Sequence, residues 1–450
     1  MCQKYAFLRF LNYPIRKSFK RLPTTTEWAR FRKYARRIRE LIQYSTQKTP
    51  PLEVFSVIQL GTINEHLFPN LEILESRRIE EYFIPFIPLL LSPRTTNIAL
   101  GFESNVPEAT IASTITTLPT LCPNAQAISI GNLKTLPEDL NPIVVAAVSG
   151  MLLANRNTLQ EFAIDFSLTK EISEVLYELP NLRSLSVVIG EKPSLPSLYL
   201  PNITELEIIC DDEDGWLQLF HGATLGRLES VSLLPRYWPV GDFLGPFKRA
   251  ALSSSIQNTL SKFYIFSLCS WNPNYSSLLP FTQLIDLEIE SPCDDECSST
   301  VDDDIVINLS RAMPKLKYLR LGDDPCRQPT TGVTAKGLMA LARHCQDLSH
   351  LRIHFQVASL SVPLAGSGAA PNAESTVSWT NCALTDFEVG KIPVPEGSML
   401  MVALTLLRIF PRLIVISGTD PGWAEVGGAM YHSKGIVDRS GKQRPRITTP

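Results

Sequence analysis

Leu316-Lys317-Tyr318-Leu319-Arg320-Leu321 and Leu348-Ser349-His350-Leu351-Arg352-Ile353 place apolar residues at the same three offsets, 0, 3 and 5. In an extended segment successive side chains face opposite sides, so offsets 3 and 5 point one way and offsets 2, 4 and 6 the other. The cadence recurs from anchors at Leu71, Ala125, Leu159, Leu182, Ile203, Leu228, Leu260, Leu284, Leu384 and Leu413, and a weaker unit at Ile98 to Leu100 fills the gap after Leu71. Spacings run from 21 residues between Leu182 and Ile203 to 36 between Leu348 and Leu384. A single unit has nothing to cover its apolar side, whereas stacked units bury each other's, and each fully buried Leu, Ile or Val is worth about 1.5 to 3 kcal/mol.

Six anchors follow a proline by two residues: Pro69 before Leu71, Pro123 before Ala125, Pro180 before Leu182, Pro201 before Ile203, Pro314 before Leu316 and Pro411 before Leu413. Proline ends the returning segment and biases its neighbour toward extended geometry, which launches the strand. The returns carry helical spacing. Asn141-Pro142 reads as an N-cap with proline in the first turn, leading to Val145, Val148 and Leu152 on one face. Ile172, Val175, Leu176 and Leu179 keep the same period, as does the stretch from Val306 to Met313, with Asp304 placed to cap it. The clearest return is Thr334 to His344. Short parallel strands alternating with irregular helical returns define an α/β leucine-rich-repeat solenoid of the horseshoe type.

The 450 residues are expected to form one elongated body, because repeats pack only on their neighbours. Residues 1–50 read as a basic, partly helical segment, 51–420 as the solenoid with a flexible insertion near 358–378, and 421–450 as a largely disordered tail. Before Glu27 the chain has no acidic residue but holds Lys4, Arg9, Arg16, Lys17, Lys20 and Arg21, a basic surface segment or, alternatively, a presequence. A formal net charge of −3 gives no overall attraction to nucleic acid or to anionic lipid. The nine cysteines form no Cys-x-x-Cys pair, so neither a zinc ribbon nor a disulfide framework is indicated. The most apolar stretch, Tyr82 to Leu91, is too short to span a bilayer. A cytoplasmic or nuclear location is expected.

The segment Gly332 to Ile353, with Gly332-Val333-Thr334, Gly337-Leu338, Cys345, Leu348, Leu351 and Ile353 in order, resembles the cysteine-containing leucine-rich repeat of F-box proteins. Together with Trp28 to Leu41 and Leu67 to Leu74, it makes the chain similar to fungal F-box proteins from about Trp28 to Asp420. That resemblance implies the substrate-recognition part of a cullin-RING ubiquitin ligase receptor. The F-box itself is not found: Leu22-Pro23 runs through Thr24-Thr25-Thr26 directly into the Trp28 segment. A ligase adaptor is therefore implied as a partner only if an F-box lies upstream. The alternative is a repeat-only scaffold or inhibitor without a ligase role.

Offsets 2, 4 and 6 collect the residues of the open, concave face. They are Glu205 and Glu207; Lys262, Tyr264 and Phe266; Asp286, Glu288 and Glu290; Tyr318 and Arg320; His350, Arg352 and His354; and Asp386 and Glu388. Acidic zones flank an aromatic and basic one, the composition of a protein-binding surface, since exposed Tyr and Arg favour hot spots. Glu288, Arg320, Arg352 and Glu388 are expected to form one ladder of alternating charge, the competing reading being neutralisation between strands with no ligand. On the binding reading, charge reversal at Glu288 or Arg352, or Tyr264→Ala, weakens partner capture and leaves stability nearly unchanged. His344, Cys345, His350 and His354 hold metal-ligating atoms, but His350 and His354 stand about 13 Å apart on a strand, and no metal is expected. The acidic run from Cys293 to Asp304 lacks the glycine turn and alternating ligands of a calcium loop. No phosphate loop, nucleophile elbow or zinc-protease motif occurs, so neither an enzyme nor a cofactor is expected.

Overall fold

The computed structural model describes residues 21–43, 52–61, 66–132, 141–190, 200–210, 225–235, 244–253, 256–267, 273–290, 301–322, 332–361, 382–389, 392–418 and 420–433. Two compact units divide the chain, Met1–Leu206 and Glu207–Pro450.

The first unit holds strands β1 (Glu40–Gln43), β2 (Ile73–Ile79), β3 (Asn97–Phe102), β4 (Ala127–Asn132), β5 (Glu161–Ser167) and β6 (Ser184–Ile189), and β7 (Glu205–Cys210) carries the boundary between the units. Its principal helices are α1 (Thr25–Ala35), α2 (Leu52–Gly61), α3 (Glu108–Leu121), α4 (Pro142–Ala154) and α5 (Lys170–Leu176). From β1 to β6 each strand pairs in parallel with the next in chain order. The second unit repeats this plan with β8 (Ser230–Pro235), β9 (Lys262–Phe266), β10 (Asp286–Glu290), β11 (Tyr318–Leu321), β12 (His350–Ile353), β13 (Asp386–Glu388) and β14 (Val415–Ser417), again parallel and in order. Between them run α6 (Leu244–Ser253), α7 (Asp303–Ala312), α8 (Ala335–His344), α9 (Met399–Ile409) and α10 (Gly422–Ser433). The fold is an α/β leucine-rich-repeat solenoid. Among the described residues no helix is long and apolar enough to cross a membrane.

The cadence builds the core as its offsets require. All twelve anchors are buried, as are the residues at offsets 3 and 5 in every repeat but that of Leu413, for example Leu319 and Leu321 or Leu351 and Ile353. Behind the sheet of the second unit, Phe247 lies 5.2 Å from Phe263 and 5.4 Å from Phe281, an aromatic stack buried between successive repeats. Backbone bonds tie each repeat to the one before it: the amides of Ser349 and His350 both donate to the carbonyl of Lys317, and those of Lys317 and Tyr318 to Ile285.

Polar side chains repeat with the same period. In the first unit, the asparagine after the launching proline donates its amide to a carbonyl of the preceding repeat. Asn70 reaches Arg36 (2.7 Å), Asn124 reaches Pro93 (3.4 Å), Asn181 reaches Asn157 (2.8 Å) and Asn202 reaches Pro180 (3.0 Å). The buried thiols of Cys122 and Cys345 donate to carbonyls of the previous repeat at Ser92 (3.5 Å) and Met313 (3.6 Å). Burial pushes both thiols up to about 12, so they stay protonated and act as small apolar donors. Cys345 is thus committed to the core while His350 stands on the open face, so the two share no centre.

The glycines of the Gly332–Ile353 segment have steric reasons. A Cβ on Gly337 would lie 2.6 Å from Asp303 Oδ1, because that carboxylate accepts from the amides of Thr334 (2.8 Å) and Gly337 (2.9 Å) and from the Thr334 hydroxyl (2.6 Å). Asp303 therefore caps the first turn of α8 from the neighbouring repeat. A Cβ on Gly332 would meet Asp302 at 2.7 Å.

Four expectations change. Residue 302, not 304, caps α7: Asp302 Oδ1 accepts from the Ile305 amide at 2.8 Å. The basic segment is more than a helix, since β1 adds a strand; Ile38 and Leu41 keep offsets 0 and 3, but offset 5 is Gln43, which accepts from the buried Ser76 hydroxyl at 2.9 Å. The expected tail from residue 421 is corrected over 422–433, where α10 packs on α9 and β14 with Trp423, Val426 and Met430 buried at helical spacing. In the insertion, Ala358–Ser361 is a helical turn, and residues 362–381 lie outside the described residues, as do 293–300 of the acidic run and 434–450 of the tail.

Candidate functional site

The open face of the second unit follows from strand register. Lys262, Asp286, Tyr318, His350 and Asp386 are successive partners in one row. Tyr264, Glu288, Arg320, Arg352 and Glu388 form the next row, and Phe266 pairs with Glu290 beyond it. Each of these residues alternates with buried leucine, isoleucine or phenylalanine on its own strand. The side-by-side placement expected of Glu288, Arg320, Arg352 and Glu388 is what the register gives.

The electrostatics differ from a simple alternation. Arg320 and Arg352 are direct neighbours, and like charges opposite one another are unfavourable. Glu290, from the adjoining row, resolves the clash: its Oε1 forms an ion pair with the Arg320 guanidinium and accepts from Arg352 Nη1 at 3.3 Å. Arg320 Nη1 also donates to Glu288 Oε1 at 2.7 Å, and Arg352 Nη1 lies 3.6 Å from Glu388 Oε1. Three carboxylates and two guanidiniums thus make one chain of contacts. Burial pushes the Glu288 carboxyl up, and Arg320 offsets this only in part. For Arg320, burial works against the charge, but Glu290 and Glu288 outweigh it and raise the pKa.

The expectation that Glu288 and Arg352 report binding without stability is corrected by their burial. Glu288 is 8% exposed and Arg352 6%, so both are structural members of the network. Tyr264 is similarly engaged, its hydroxyl donating to Asp286 Oδ2 at 2.6 Å; burial and that carboxylate raise its pKa. Burial also pushes the Asp286 carboxyl up, despite the Tyr264 hydrogen bond. The accessible members are others. The side chains of Glu388 and His350 are 52% and 54% exposed, Lys262 is exposed, and Phe266 and Tyr318 are half-buried. Tyr318 packs its ring 5.7 Å from the His350 imidazole, which faces Asp386 Oδ2 at 3.6 Å. His354 is half-buried at the far end of β12.

Glu205 and Glu207 alternate on β7 with buried Leu206 and Ile208 and make no ion pair among the described residues. The first unit offers a different open face, which sequence reasoning passed over. Its central row runs Ala99, Ser129, Ala163, Ser186, a floor of small side chains with no aromatic or cationic anchor. The bridging role of Glu290 was also missed. Its signal was the arginine at the same offset in two successive repeats, Arg320 and Arg352, which puts two cations side by side and demands an anion within reach.

No protein-family model matches the chain, and no curated protein matches it. Among solved structures it is similar to a Bacteroides fragilis protein, with 16% identity over 52% of this chain and 68% of that one and a TM-score of 0.32. It is also similar to an internalin from Listeria monocytogenes, with 13% identity over 74% of this chain and 76% of that one and a TM-score of 0.30. The fold assignment stands on parallel strand order, register and buried anchors, independently of these likenesses.

Proposed function

We propose that this protein is a non-enzymatic interaction scaffold that holds a partner protein on the open face of its second unit. The observation that carries this reading is the combination of a rigid, buried ion network with exposed and half-exposed rims at Lys262, Phe266, Tyr318, His350 and Glu388. Charges locked by neighbours cost no ordering when a partner arrives, and aromatic edges beside them supply contact area. The resemblance to F-box proteins supports a finer reading, the substrate-recognition part of a cullin-RING ubiquitin ligase receptor. A repeat-only scaffold or inhibitor is the alternative.

Paired substitution of accessible residues outside the ion network, Lys262→Ala with His350→Ala, tests the site. Surface changes of this kind leave stability within about 0.5 kcal/mol. In quantitative affinity purification from native lysate, at least one protein enriched by the wild type is expected to fall by tenfold or more with the variant. An identical set of captured proteins would remove the open face from the account. The presence of a ligase adaptor subunit among wild-type partners separates the receptor from the repeat-only scaffold.

A further inference from the structure

The overall charge of −3 conceals a segregation. Residues 1–50 contain thirteen Lys and Arg against Glu27 and Glu40 alone, which leaves the remainder of the chain strongly acidic. The described part of that basic segment is α1 and its continuation into β1, and it is firmly placed. A capping box links Thr24 and Glu27, Ala35 is buried, and Asn70 holds the Arg36 carbonyl.

Two of the cations are paired, Arg21 with Glu27 at 2.9 Å and Arg39 with Glu72. Arg30, Arg32, Lys33, Arg36 and Arg37 are all exposed, and among the described residues no carboxylate pairs with Arg30, Lys33, Arg36 or Arg37. At 100° per residue, Arg30 and Lys33 form one stripe on α1 and Arg32 lies 100° from Lys33, so positive charge covers roughly half of the helix circumference, and Arg36 and Arg37 extend it in the turn that closes the helix. The apolar residues sit on the opposite side. Trp28 and Phe31 share the face of buried Ala35 and pack edge to face at 5.7 Å. Tyr34, on the exposed side, is overlaid by the Arg37 guanidinium at 5.6 Å.

This arrangement discriminates among anionic partners. A helix that docks in a protein groove needs outward apolar anchors, and one that lies on a bilayer needs an apolar face to insert. Here that face is turned inward, with Ala35 buried and Trp28 and Phe31 half-buried. What remains is a convex rod of charge about 10 to 12 Å across, cationic on both flanks. The major groove of B-form DNA is about 12 Å wide, walled on both sides by phosphates. We propose that α1 and the turn that closes it are a second binding site, which seats in the major groove of double-stranded DNA and holds its phosphates through Arg30, Lys33, Arg36 and Arg37. Affinity is of the non-specific class, on the order of 10 μM at low salt, because the acidic remainder of the chain opposes it.

Fluorescence anisotropy of the full chain with a labelled 16-base-pair DNA duplex tests the site. With four phosphates engaged, affinity is expected to fall on the order of 10²-fold between 50 and 200 mM salt. The variant Arg30→Gln/Lys33→Gln/Arg37→Gln, which keeps helix propensity, is expected to bind at least tenfold more weakly, with an unchanged melting curve. A matching RNA duplex, whose narrow major groove excludes a helix, is expected to bind several-fold more weakly than DNA. No measurable duplex binding at 50 mM salt, equal binding by the folded variant, or equal binding of DNA and RNA would each overturn the proposal. Tighter binding to polyglutamate or to phosphatidylserine vesicles would overturn it in favour of an acidic protein segment or a membrane.

Discussion

Arg352→Ala is expected to destabilise the second unit by about 3 kcal/mol, the lower end of the range for breaking a buried ion pair by removing one partner. The guanidinium is nearly inaccessible and stands between Glu290 and Glu388. Its removal takes one cation from Glu290, which keeps its ion pair with Arg320, and returns Glu388 to water. Because the Glu388 side chain is already half-exposed, its share of the loss is small, and most of the cost falls on Glu290. Urea denaturation followed by far-UV circular dichroism measures the change. A double-mutant cycle with Glu290→Ala should show a coupling energy of about 1 to 3 kcal/mol. A loss below about 0.5 kcal/mol would place the network among exposed surface pairs. It would also restore Arg352 as a pure binding residue, as its position at an outward offset first suggests.

Trp423→Ala should cost about 4 kcal/mol, in the range for deleting a fully buried large aromatic. The indole is 1% exposed, lies 6.0 Å from the Phe355 ring and donates from Nε1 to the Ile392 carbonyl at 2.7 Å. In a repeat array each unit is stabilised through its neighbours, so loss of the α10 packing acts first on the adjoining repeat. Hydrogen exchange read by mass spectrometry should therefore show protection lost over α9, β14 and α10 before it is lost at β9 to β11. Uniform loss across the second unit would mean that α10 is no separate cap and that the unit unfolds as one block.

The strands are legible in the sequence because their rule is local: three apolar positions at fixed offsets, each satisfied within six residues. β1 escapes the rule for a physical reason, since Gln43 and Ser76 replace an apolar pair in the offset-5 layer by a hydrogen bond that only the partner strand reveals. The α10 helix escapes because the repeat ends before it, and its Trp423, Val426, Met430 spacing is three residues deep in an otherwise Gly- and Ala-containing stretch. At the candidate site, which residues stand on the open face follows from alternation, and their neighbours follow from counting offsets across repeats. Exposure does not. Whether Glu288 and Arg352 are solvated or enclosed depends on Glu290 reaching across two strands, a relation between residues 62 apart in the case of Arg352. The asparagine after four of the launching prolines carries a signal that composition alone cannot interpret, because its acceptor belongs to the previous repeat.

Equal offsets in successive repeats are direct neighbours in one parallel sheet of the second unit. Disulfide trapping tests it. In-register residues on adjacent strands lie about 4.8 Å apart, within the Cα span of a disulfide, and a two-residue stagger adds about 6.6 Å along the strand and exceeds it. Mild oxidation followed by peptide mapping should link the thiols introduced by Tyr318→Cys with His350→Cys, and those introduced by His350→Cys with Asp386→Cys. The staggered pair Tyr318→Cys with Arg352→Cys should stay reduced. Linkage of the staggered pair, or of none of the three, would contradict the register on which the whole account stands.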